Sequence, residues 1–158
     1  MSYEVVIPLD GSEMSERALD FAAQLPLRKA TLLRVEPPFQ PFRPGPLEVV
    51  RKDWRDLVRA ELTEEMRPLA DRLKAGEVEV VPEIRFGDPA SEIIDAAAGA
   101  DLIVMTTTGR GGVGRMFFGS VADRVVRQGT VPTLVIRGGQ YPMVSEGISR
   151  LVVPLDGS

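Results

Sequence analysis

Short apolar runs rich in β-branched residues alternate along this chain with longer stretches whose apolar positions recur every three or four residues. Tyr3 to Leu9 reads as a buried strand. Ser12 to Leu25 follows as a helix: Ser12 caps it, Glu16 lies in its first turns, and Ala18, Leu19, Ala22, Ala23 and Leu25 fall near helical spacing. Ala30 to Val35 is a second strand. Five prolines in the next eleven residues, Glu36 to Pro46, exclude both helix and ladder, so that segment is a loop. From Leu47 to Ala75 the positions Val50, Trp54, Leu57, Val58, Leu62, Met66, Leu69 and Leu73 mark one face of a long helix. A kink is expected at Pro68 and a stop at Gly76.

Val78 to Phe86 reads as the third strand, and Asp88-Pro89 opens a third helix as cap and first helical residue. Asp101 to Thr106 contains Leu102-Ile103-Val104-Met105, apolar on both faces, as central parallel strands are. After a glycine-rich stretch come a helix from about Gly119 to Gln128 and a fifth strand, Thr133 to Arg137. Strands alternating with helices predict an α/β fold: an open, five-stranded, mainly parallel sheet with helices on both faces.

The first strand has an echo. VVIPLDGS, Val5 to Ser12, returns as LVVPLDGS, Leu151 to Ser158, with six of eight positions identical. The spacing is that of a whole domain rather than of a solenoid repeat. The expected organisation is therefore one domain over residues 1–138, a linker over 139–149, and the first strand of a truncated second copy over 150–158. Such a strand lacks its own sheet, so it is expected to dock on another chain's edge by strand addition.

Composition narrows the function more by what it removes. A net charge of −4 makes nucleic acid a poor partner. No apolar run reaches the length of a membrane span, and MSYEVVIPLDGS has no basic stretch leading into an apolar one. With no cysteine in the chain, a cytoplasmic location is expected. The absence of histidine removes the commonest general base, the Ser-His-Asp arrangement and most transition-metal sites.

The chemistry is concentrated in TTTGRGGVGRMFFGSVADRVV, Thr106 to Val126. Gly109, Gly111 and Gly114 spell G-x-G-x-x-G, but a dinucleotide fingerprint belongs to the first strand–helix unit, and this one follows the fourth strand. A P-loop fails as well, because Arg115 and Met116 stand where Lys and Ser/Thr are required. A third frame fits: nine residues separate Gly109 from Gly119-Ser120, which leads into a helix. A loop leaving a central strand and returning at a helix start brings backbone N–H groups and a partial positive charge towards an anion. A phosphate suits such a place.

On these residues the chain resembles the universal stress protein family, in its ATP-binding form. That family's signature is G-x-x-G, nine residues, then G-[ST]; here Thr106 replaces the first glycine. RGGVGRMFFGSVADRVVR, the Asp10-Gly11-Ser12 turn and VPTLVIR lie where the family has such residues, and the likeness covers residues 3–137. It implies a Rossmann-like sheet of the adenine nucleotide alpha hydrolase kind. Pro8, Leu9 and Asp10 would border adenine and ribose, Val35 the adenine edge, and Met105 and Thr106 the ribose. Gly109, Gly119, Ser120 and Val121 would hold the phosphates, with Mg²⁺ carried largely by phosphate and water. The resemblance further implies a homodimer, or a tandem pseudo-dimer, through the last strand, and a nucleotide-responsive regulatory or sensor role towards an unidentified protein partner. Catalysis would be at most slow ATP hydrolysis, since no base for water activation is visible. The alternative is a dimeric scaffold of the same fold that binds no nucleotide; an adenylate-transferring enzyme needs His-rich signatures that this chain lacks.

Overall fold

The computed structural model describes residues 2–38, 47–74, 77–107 and 119–137. Five parallel strands, β1 (Tyr3–Pro8), β2 (Leu27–Glu36), β3 (Glu79–Phe86), β4 (Leu102–Thr107) and β5 (Thr133–Arg137), form one sheet in the order β3-β2-β1-β4-β5. Four helices connect them: α1 (Glu13–Ala22), α2 (Leu47–Asp71), α3 (Pro89–Ala96) and α4 (Ser120–Gln128). The proline loop from Phe39, Gly109 and its neighbours, and the expected linker and repeated strand lie outside the described residues.

The sheet separates two cores. Val5, Ile7, Leu32 and Val104 pack beneath α1 and α2 with Leu19, Leu62 and Met66. Val6, Leu33, Ile103 and Met105 pack beneath α3 and α4 with Ile93 and Val125. This is the alternation expected of strands buried on both faces.

Two helix starts follow the sequence closely. Ser12 Oγ accepts from Ser15 N at 3.1 Å, and Asp88 Oδ1 accepts from Ser91 N at 3.1 Å with Pro89 in the first turn. Other boundaries move. α1 ends at Ala22, and its apolar pattern runs on into a turn bonded by Gln24 N to Phe21 O and Leu25 N to Ala22 O. β2 starts at Leu27, three residues earlier than expected, because Arg28 is paired with Glu4 at 3.1 Å while Tyr3 lies opposite Leu27. α2 runs through Pro68 and ends at Asp71, followed by three-residue turn bonds such as Leu73 N to Ala70 O. Pro68 has no N–H to donate into that last turn, which weakens it. Leu57, counted in the apolar face of α2, is 71% exposed, whereas Leu62, Met66 and Leu73 are buried.

Candidate nucleotide site

Strand order reverses between β1 and β4, which are neighbours although β2 and β3 intervene in the chain. Crossovers on either side of such a point leave in opposite directions and open a crevice beyond the carboxyl ends of the strands. A cleft of about 320 Å³ lies there, within the range of small-molecule sites. Nine of the ten residues singled out in the sequence line it: Pro8, Leu9, Asp10, Val35, Met105, Thr106, Gly119, Ser120 and Val121. Gly109 falls outside the described residues.

The floor and one wall are apolar. Leu33 and Val35 come from β2, Met105 from β4, and Pro89 and Ile93 from α3. The start of α4 also lines the cleft. Gly119 stands at its cap position with φ −57° and offers no capping side chain. The first return bond of the helix is Asp123 N to Gly119 O at 2.9 Å, so the N–H groups of Ser120, Val121 and Ala122 have no acceptor among the described residues. All three residues line the cleft. Arg124 on α4 pairs with Asp88 Oδ1 at 2.8 Å and reaches Ser91 Oγ at 3.3 Å. The bridge ties the starts of α3 and α4 together on either side of the opening.

The third side is the turn after β1. Asp10 Oδ1 accepts from the Ser12 amide at 2.9 Å and from the Ser12 hydroxyl, and Asp10 N donates to Ser15 Oγ at 3.3 Å. Burial pushes the Asp10 carboxyl up, but the bonds from Ser12 and Ser15 and the nearby Arg34 charge outweigh it. The carboxyl is held below the ordinary aspartate range. Asp10 is the one charged residue lining the cleft among the described residues. No cluster of three acidic, His or Cys side chains is present among them either. Asp10 is the carboxylate that the described lining would offer a divalent ion.

The residues not foreseen are Ser15, Leu33, Pro89, Ile93, Thr107 and Ala122. Leu33 and Thr107 were within reach: each lies two positions from a predicted residue on its own strand, Val35 and Met105, and therefore on the same face. Ser15, Pro89 and Ile93 arrive from other helices, which a strand pattern does not reveal.

A sequence profile of the universal stress protein family matches residues 1–137. The chain belongs to that family. Among curated universal stress proteins, MJ0531 of Methanocaldococcus jannaschii is 32% identical over 140 residues, covering 85% of this chain and 81% of that protein. Rv1996 of Mycobacterium tuberculosis is 30% identical over 146 residues, covering 89% of this chain but 45% of that protein; the chain spans under half of this relative's length. Among solved structures, universal stress protein UspA from Lactobacillus plantarum superposes with TM-score 0.67 at 26% identity, covering 87% of this chain and 99% of that one. A universal stress protein solved in complex with cAMP shares the fold with TM-score 0.63 at 24% identity, covering 87% of this chain and 98% of that one.

Proposed function

We propose that this universal stress protein domain binds ATP in the cleft and works as a nucleotide-responsive regulatory or sensor module in stress response. One observation carries the reading: the start of α4, without a capping side chain, lines a cleft whose other lining residues are mostly apolar. An adenine nucleotide has the matching halves, a flat apolar base and an acceptor-rich phosphate chain. The base would lie against Val35, with Pro8 and Leu9 beside it. The ribose would lie between Asp10 and Met105-Thr106, and the phosphates on Gly109, Gly119, Ser120 and Val121. Mg²⁺ would ride on the phosphates, consistent with the sparse carboxylates here. The fold accommodates cAMP in the complex noted above, which supports a nucleotide as the class of ligand.

Thermal unfolding with and without ATP and Mg²⁺ tests the reading. ATP at a hundred times its dissociation constant adds about 2.7 kcal/mol, a shift of several degrees for a domain of this size. An unmoved transition at millimolar ATP refutes it and leaves the dimeric scaffold.

The two rims of the sheet support a dimer through β5. The β3 rim carries Pro82 in mid-strand and the charged Glu79, Glu83 and Arg85, features that deter pairing. β5 carries Leu134, Val135 and Ile136, all partly exposed, with no proline or internal charge. We place the homodimer, or its tandem counterpart with the 150–158 repeat, on that rim. The proposal includes a cytoplasmic location and a protein partner that reads the occupied cleft.

A further inference from the structure

Thr107 closes β4 on the cleft side of the sheet. Side chains alternate along a strand, and Ile103 and Met105 both pack into the core beneath α3 and α4, so Thr107 faces the same way. It is 4% exposed, and its Oγ1 accepts the Gly119 N–H at 2.9 Å. A hydroxyl has one hydrogen and two lone pairs. Gly119 takes one lone pair, and no acceptor among the described residues takes the hydrogen. A buried donor left so is costly, and a hydroxyl that accepts one bond donates the next more strongly.

Beside it stand the orphan N–H groups of Ser120, Val121 and Ala122. Among the described residues, the Thr107 hydroxyl and these three N–H groups thus bring free donors together. They call for an occupant made of acceptors, which a phosphate is and a base edge or a sugar hydroxyl is not. We propose that the Thr107 hydroxyl is a ligand-binding group, donating to a phosphate oxygen held at the start of α4. The bond it accepts from Gly119 fixes where that start lies. One side chain thereby sets the position of the phosphate seat and takes part in it. Valine would fill the same volume and lose both bonds. The proposal rests on the reading of the cleft as a nucleotide site.

Calorimetric titration of the full chain with ATP, AMP and adenosine tests it, alongside Thr107→Val and Thr107→Ser. A bond to a charged oxygen is worth about 10-fold or more in affinity. Thr107→Val should weaken ATP and AMP by about that factor while adenosine is unchanged, and Thr107→Ser should restore both nucleotides. ATP binding by Thr107→Val at the original strength overturns the role of Thr107 alone. An equal loss of adenosine also overturns it, since the residue would then only hold the fold. If the unaltered chain binds none of the three, the nucleotide reading falls and Thr107 with it. Should Thr107→Val fail to fold, the Gly119 amide resonance of the unaltered protein decides: ATP must move it further than adenosine, and equal shifts overturn the proposal.

Discussion

Gly11 and Arg34 occupy one corner of the molecule. The backbone turns at Gly11 with φ +81°, and the Arg34 guanidinium lies where a side chain on Gly11 would begin. The turn that delivers Asp10 to the cleft depends on there being none. Gly11→Ala should destabilise the domain by about 1–2 kcal/mol through the left-handed conformation alone. Gly99 has φ +89° with nothing near its missing side chain. Gly99→Ala should therefore cost the backbone strain only, and denaturant midpoints for the two variants isolate what Arg34 adds. Equal losses would mean that Arg34 swings aside freely.

Gly119 presents the opposite case. Its φ of −57° is open to any residue, and among the described residues a Cβ there would meet only Thr107 Oγ1, at an ordinary 3.5 Å. Neither the backbone nor the described neighbours demand glycine. Gly119→Ala should fold with a loss of about 1 kcal/mol or less, while Gly119→Val should abolish stabilisation by ATP. If ATP raises the melting point of Gly119→Val as much as that of the parent, the phosphates do not sit on α4.

Acid should expose the two capping turns. Asp10 is held low as described, and Asp88 is held low chiefly by the Ser91 hydroxyl and amide, with the Arg124 charge adding to them. A carboxyl whose folded value lies below its unfolded value binds fewer protons folded than unfolded in the interval between. Its contribution is complete above the ordinary aspartate value of about 3.9 and fades as pH falls through the lower folded value. Urea midpoints measured from pH 5 downwards should fall, and Asp10→Asn and Asp88→Asn should each flatten that fall. An unchanged slope in both would detach the carboxyls from the turns they cap.

Assembly has its own test. Ile136→Lys puts a charge on the partly exposed strand β5; if the proposed dimer forms there, the parent should scatter light as a dimer and the variant as a monomer. Dimers that persist would have to meet elsewhere.

Much of this fold was legible because its signals are local. Ser12 and Asp88 cap helices through their own backbone neighbours, and Leu102 to Met105 is apolar on both faces because both faces are covered. The nine residues that the family resemblance pointed to meet at one cleft, and of these Asp10, Gly119 and Ser120 lie at turns and helix starts whose residue types mark them in the sequence. What escaped depends on contacts far away in sequence. Arg28 looks like a loop residue until Glu4 and Asp101 appear across from it, and Leu57 fits the helical period yet faces outwards. Thr107 drew no reading from the sequence, because its partner Gly119 lies twelve residues away.

Pro82 has a consequence for how large an assembly can grow. A sheet that can be extended at one rim only has nothing left to offer once that rim is used. Two copies joined there would close on each other, with a proline strand facing outwards at either end. With the dimer proposed through β5, assembly would stop at a pair, and a filament of sheets laid edge to edge would need Pro82 replaced first.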